Sequence, residues 1–158
     1  MLSAESSIRL AVPGDAEAIA AMSRELIEYG LPWGWRAARV LRSIENPDTN
    51  VAVVRSDGEL IGFGIMEYLE LDAHLVLFAV RKASQRTGVG SALLRWLEAS
   101  AAAGGAQRIR LDARRENVAG RSFYNEHGYH ELRIRPGRYS AAVDGVQLEK
   151  WLRPPSPA

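Results

Sequence analysis

His74-Leu75-Val76-Leu77-Phe78-Ala79-Val80 is apolar on both sides of a strand's two-residue alternation. A run of that length with no polar face belongs in the middle of a sheet covered on both sides. It is followed by a short polar loop and then by Val89, Leu93, Trp96, Leu97 and Ala101, the apolar stripe of an amphipathic helix that stops near Gly104-Gly105. A covered central strand feeding a helix demands an α/β layer architecture and excludes a bundle or a sandwich.

The rest of the chain reads as elements on either side of that unit. Ile8 to Val12 alternates as a first strand. Asp15 is placed to cap a helix running to about Tyr29, where Gly30 and Pro32 give the stop, and a second helix covers about Arg36 to Glu45 before Pro47. Val51 to Arg55 and Glu59 to Tyr68 flank Asp57-Gly58, a two-residue hairpin signal because both central positions of such a turn need positive φ. Beyond Gly105, Arg108 to Ala113 reads as a strand and Asn117 to His127 as a helix closed by Gly128. Tyr129 to Ile134 and Val143 to Leu152 read as two last strands, parted by a loop with Pro136 and Gly137. The 158 residues suit one domain, 1–158, with a core over about 8–152. At this size roughly 70% of the unfolded chain's surface is buried, so no staple is required.

Composition closes several routes. With no cysteine there is no disulfide framework, no Cys-rich zinc site and no thiol nucleophile, and nothing else calls for a metal. The net charge is +1 and the cations are spread along the chain, a pattern that does not favour nucleic acid. No apolar run approaches the ~20 residues of a membrane span, and Met1 to Ser7 lacks the apolar core of a signal peptide. A cytoplasmic protein is the expectation. Arg153 to Ala158, with three prolines, reads as a frayed tail.

The segment richest in chemistry is Gln85-Arg86-Thr87-Gly88-Val89-Gly90-Ser91, between the central strand and the amphipathic helix. The first turn of a helix presents backbone N–H groups without intrahelical partners at its positive end, and glycines there let a ligand come close. A pyrophosphate is the natural guest. No Lys follows Gly90 as a nucleotide P-loop requires, and Leu93 stands where a dinucleotide fingerprint wants a third small residue.

Gln-x-x-Gly-x-Gly, after Leu-Phe-Ala-Val and before Ser-Ala-Leu-Leu, resembles the CoA-binding motif of the GNAT superfamily of N-acetyltransferases. Arg110 to Ala113, Glu116 to Ala119 and Ser122 to Tyr129 resemble the fifth strand and following helix of the same superfamily, and the likeness runs from about Ile8 to Leu152. The nearest pattern is that of bacterial ribosomal-protein alanine and other N-terminal acetyltransferases. The resemblance implies a mixed sheet of about seven strands, splayed between the fourth and the fifth. It implies acetyl-CoA as co-substrate, its pantetheine arm along Phe78, Ala79 and Val80 with help from Asn117, and its pyrophosphate on Gln85, Arg86, Thr87, Gly88, Val89, Gly90 and Ser91, with Arg81 and Lys82 as further cations. Direct attack by an amine is implied, with no covalent enzyme intermediate. Tyr124 takes the general-acid position beside the CoA sulfur. For the base, His74, eleven positions ahead of Gln85, aligns with a catalytic carboxylate of relatives, while Glu67, Asp112 or a water chain are alternatives. The acceptor walls fall on the first interhelical loop, with Trp33 and Trp35, and on the last loop, Arg135 to Ser140, with Tyr139. The resemblance allows a homodimer. A CoA-binding sensor without turnover is the competing reading.

Overall fold

A computed structural model describes residues 8–153; the expectations for Met1 to Ser7 and for the tail from residue 154 fall outside them. The elements are β1 (Ile8–Leu10), α1 (Ala16–Leu26), α2 (Ala37–Glu45), β2 (Thr49–Ser56), β3 (Glu59–Leu69), β4 (Asp72–Val80), α3 (Val89–Ala103), β5 (Arg108–Arg114), α4 (Val118–Glu126), β6 (His130–Ser140) and β7 (Val143–Trp151). The strands form one seven-stranded sheet in the order β1-β2-β3-β4-β5-β7-β6. Every described pairing is antiparallel except that of β4 with β5, which follows from the crossover through α3.

Two apolar cores lie on opposite faces. One collects α3 residues such as Leu93, Leu94 and Leu97 with Ile109, Leu111, Tyr124, Tyr129, Val146 and Leu148. The other joins α1 and α2, through Ile19, Met22 and Val40, to Val53, Phe63, Ile65 and Leu77. Gly64 lets α3 sit low on the sheet, since a Cβ there would lie 2.5 Å from Leu97 Cδ1 in a fully buried core. The hairpin turn at Asp57-Gly58 has the expected positive φ at both positions, 52° and 79°.

Three sequence expectations need correction. Asp15 stands at the N-cap of α1, but its side chain makes no capping hydrogen bond there. It ends a 3-10 turn, Pro13–Asp15, and its carboxylate reaches back to the Val12 N–H (2.8 Å) while receiving Arg9 (2.8 Å) and Arg55 (2.8 Å). Helix α1 stops at Leu26 rather than Tyr29, because the Glu28 carboxylate turns inward to accept the N–H groups of Gly34 (2.7 Å) and Trp35 (3.1 Å). The segment Arg135 to Ser140 is not a loop between strands but the end of β6. Register with β7 is kept at Arg135 and Ser140 and lost between them, where Pro136 lacks an N–H and Gly137 turns at φ 64° to donate to Asp144 (2.9 Å).

The Asp15 cluster has a pH signature. Burial works against its charge, but the hydrogen bonds from Arg9, Val12 and Arg55 outweigh it and hold the carboxyl at about 2. A carboxyl depressed on folding stabilises fully above its unfolded value of about 3.9 and loses that contribution as the pH falls toward 2. Asp15→Asn is therefore expected to be less stable at pH 7 by about 2 kcal/mol and to converge on the unsubstituted protein between pH 4 and 2, read from urea midpoints across that range. A constant gap down to pH 2 contradicts the assignment.

Candidate functional site

Strands β4 and β5 are joined at one end only. Residues Asp72 to Leu75 pair with Arg108 to Leu111 and the register then ends. Two features explain the parting. At the closed end, Arg108 donates to both oxygens of Asp72 (3.0 and 2.7 Å), sits 3.7 Å from Glu149 and stacks on Trp151, a clasp that ties β4, β5 and β7. At the open end, β4 carries a bulge: Met66 pairs with Leu75 and Ile65 with Leu77, which leaves Val76 as the extra residue. The bulge bends the strand and exchanges its faces. Ala73 and Leu75 pack toward α3, but beyond Val76 it is Phe78 and Val80 that do so, while Leu77 and Ala79 join the α1–α2 core. Past Leu75 the β5-facing edge of β4 has no strand partner, and Phe78, Ala79 and Val80 lie on that stretch.

The glycine loop closes onto this open end. Gln85 donates from Nε2 to the Val80 carbonyl (3.0 Å), and the Thr87 hydroxyl donates to the Ser84 carbonyl. Arg86 takes φ 63° and Gly88, the N-cap of α3, φ 90°. The first N–H satisfied inside the helix is that of Ala92, on the Gly88 carbonyl (3.0 Å). From Arg86 through Ser91 no backbone N–H finds a backbone acceptor among the described residues. Gly90 lies against the Phe123 ring, where a Cβ would stand 3.3 Å from it. Of the nearby cations, Arg81 is engaged by the Leu60 carbonyl (2.9 Å) and Glu25 (3.7 Å), whereas Arg86 and Lys82 have no ion pair among the described residues.

Helix α4 presents an aromatic ladder to the same place. Phe123 stacks on Phe78 (5.8 Å between centroids), and Tyr124 meets Phe78, Phe123 and Tyr129 edge-on. Tyr124 is buried, and burial, with the nearby Tyr139 phenol, pushes its ionisation above the ordinary value. Its hydroxyl has no hydrogen-bond partner among the described residues, unlike that of Tyr129, which donates to buried Glu98 (2.8 Å), itself paired with Lys150 (3.1 Å). Asn117 is the N-cap of α4, and its Oδ1 accepts the Gly120 N–H (3.0 Å). That bond leaves the Nδ2 of Asn117, and the second lone pair of its Oδ1, to serve a ligand.

The three base candidates share the face of the sheet opposite α3. His74 sits at the closed end, paired across strands with Glu67 on β3 and Arg110 on β5. Asp112, one rung further along β5, is faced by Arg135 (3.3 Å) and Arg138 (3.5 Å). Tyr139 is half-buried beside it, and burial, then the Asp112 charge, raise its phenol to about 12. The two tryptophans part company. Trp35, expected at the acceptor wall, is 7% exposed and belongs to the α1–α2 core, with Arg39 stacked on it at 3.9 Å. Trp33 does line an open cavity of about 620 Å3, with Arg24, Glu28, Tyr29, Leu31 and Arg36.

Two contacts have no counterpart in the sequence reading. Arg114, the last residue of β5, is buried. It donates to the Ile27 (2.7 Å) and Tyr29 (2.6 Å) carbonyls and stacks on the Tyr29 ring at 4.0 Å, which holds the end of α1 over the open end of the β4–β5 gap. His127 donates from Nδ1 to the Phe123 carbonyl (2.7 Å), and its Nε2 meets the Ser91 hydroxyl at 2.9 Å, joining α4 to the first turn of α3. Separations of 36 to 87 residues hide both from a linear reading. Among the described residues no group of three His, Asp or Glu could hold a metal, and no helix is long and apolar enough to cross a membrane.

Comparison with known proteins agrees with the fold. The sequence model of the acetyltransferase (GNAT) family matches residues 19–129. An uncharacterized N-acetyltransferase of Methanocaldococcus jannaschii is 31% identical over 101 residues, which are 62% of this chain and 64% of that protein, just under two thirds of its length. The crystal structure of Ard1 from Thermoplasma volcanium superposes with a TM-score of 0.79 at 25% identity, covering 93% of this chain and 97% of that one. The PaiA N-acetyltransferase of Thermoplasma acidophilum, solved in complex with coenzyme A, gives 0.77 at 22% identity, with 91% and 97% covered.

Proposed function

This chain belongs to the acetyltransferase (GNAT) family, and on that premise we propose that it transfers an acetyl group from acetyl-CoA to a primary amine. The observation that carries the reading is the parting of β4 from β5 after Leu75 and Leu111, directly beside the unpartnered N–H groups of Arg86 to Ser91. A free strand edge suits an extended amide-bearing arm, and a helix N-terminus suits a pyrophosphate. The coenzyme A complex of the Thermoplasma acidophilum protein, which has the same fold, supports that ligand class.

In this reading acetyl-CoA supplies the acetyl group as a thioester. The N–H groups from Arg86 to Ser91 bind its pyrophosphate, helped by the free cations of Arg86 and Lys82. The acceptor amine enters between the α1–α2 loop and the β6–β7 hairpin. Its nitrogen bonds to the carbonyl carbon, the C–S bond breaks, the sulfur leaves with the bonding pair, and the amine loses one proton. The Tyr124 hydroxyl, which no protein group occupies, donates a hydrogen bond to the departing sulfur. A thiol ionises near 8.5 and burial holds Tyr124 above its ordinary value of about 10, so full proton transfer from the phenol is uphill. Tyr124 thus acts as a hydrogen-bond donor, and the proton that completes the thiol is the one released by the amine. His74, next to Glu67 across the strands, is the group on the acceptor face best suited to carry it. Asp112 suits the task less, because its carboxylate oxygens are already engaged by Arg135 and Arg138.

The test is incubation of the full chain with acetyl-CoA and a panel of neutral, cationic and anionic amines, reading free thiol and acetylated product together. Stoichiometric appearance of both with at least one amine is expected. Binding of acetyl-CoA with no product from any amine contradicts transfer and favours a sensor.

A further inference from the structure

Helix α1 ends over the open end of the β4–β5 gap, fixed from both strands: Glu25 meets Arg81 at the end of β4, and the Tyr29 ring and carbonyl meet Arg114 at the end of β5. Tyr29 is also a wall of the open cavity. That cavity therefore lies one side chain away from Arg114, at the end of β5, and follows the α1–α2 loop.

Its charge is one-sided. Arg24 from α1 and Arg36 at the start of α2 both stack on Trp33, with guanidinium carbons 5.0 and 4.6 Å from the ring centre. Neither has an ion-pair partner among the described residues. The one carboxylate in the wall, Glu28, is buried and already accepts from the Ser23 hydroxyl and the Gly34 and Trp35 N–H groups. The Trp33 Nε1 is buried with no acceptor among the described residues. Two arginines pre-set by stacking, beside a carboxylate turned away, favour a planar anion with two oxygens. A cationic acceptor would meet like charge there.

We infer that this cavity takes a carboxylate of the acceptor, held by Arg24 and Arg36 on the face of Trp33, so that the acceptor is an amine that carries a carboxylate rather than a polyamine. The inference deepens the acetyl-transfer reading and rests on it. Two sources share the chemistry: a free amino acid and a peptide N-terminus with an acidic residue next to it.

The experiment compares matched twins, glycine with glycinamide and Gly-Asp-Gly amide with Gly-Asn-Gly amide. Each is titrated calorimetrically into the full chain saturated with CoA and is then assayed with acetyl-CoA. In at least one pair the carboxylate member is expected to bind at least about tenfold tighter, and which pair does so identifies the source. Arg24→Gln combined with Arg36→Gln is expected to erase that preference while acetyl-CoA affinity stays within about twofold. Both side chains are exposed and unpaired, so the variant keeps its fold. No preference in either pair, or a preference that survives in the double variant, overturns the inference. A carboxylate preference in binding without acetylated product leaves the cavity assignment standing and removes the transfer reading. Equal product from both twins does the reverse.

Discussion

Gly88→Val and Gly90→Leu are each expected to weaken acetyl-CoA binding by about 100-fold or more, and they do so by different routes. Gly88 sits at φ 90° with nothing within 4 Å of a Cβ. Valine there does not collide; it is strained, by about 1–2 kcal/mol, and relieves the strain by turning the first N–H groups of α3 away from their common direction. Gly90 has ordinary φ but faces Phe123, so a leucine must push either the ring or the helix. Hydrogen bonds to a charged group contribute about 1.5–3 kcal/mol each, so misdirecting two of them exceeds the ~2.8 kcal/mol that two decades of affinity require. Calorimetric titration of each variant checks this. Thermal unfolding should separate them further, because only Gly90→Leu disturbs a packed contact. Affinity within a few-fold of the unsubstituted protein would mean that the loop does not hold the pyrophosphate.

Tyr124→Phe is expected to lower kcat by about 100-fold, the scale of losing one preorganised hydrogen-bond donor to developing charge, with KM for acetyl-CoA changed by less than about threefold and no loss of stability. The last clause distinguishes this tyrosine from its neighbour. Removing a hydroxyl that bonds to nothing costs the fold nothing, whereas Tyr129→Phe strips a hydrogen bond from buried Glu98 and should cost about 1–3 kcal/mol while leaving kcat nearly intact. Steady-state rates and urea midpoints on the pair give the contrast. A Tyr124→Phe enzyme at near full rate removes Tyr124 from the leaving-group role.

Much of the sheet was legible because its signals are local. The run from His74 to Val80 is the central strand its two apolar faces predict, and Asp57-Gly58 turns where it should. What escaped is what depends on registry or distance. A strand apolar on both faces cannot reveal a bulge, so the extra residue at Val76, which opens the gap from β5, leaves no trace in the alternation. Pro136 and Gly137 carry turn chemistry, yet β6 resumes beyond them because Ser140 regains register with Val143. Trp33 and Trp35 look alike in a short Gly/Pro loop. They separate only once Glu28 draws the backbone of Gly34 and Trp35 inward, which buries the second ring and leaves the first at the cavity. The glycine motif could be placed on a helix N-terminus from the letters alone, but the arginines that face the cavity come from α1 and the start of α2, and no motif links them.

The parting of β4 and β5 beside the α3 N-terminus matters only if it is where the acyl donor lies, so the most direct measurement is calorimetric titration of the full chain with acetyl-CoA, with CoA and dephospho-CoA as companions. The account predicts saturable one-to-one binding of both acetyl-CoA and CoA, driven through the pyrophosphate and pantetheine arm that dephospho-CoA also retains. Absence of binding by all three at millimolar concentration would contradict it.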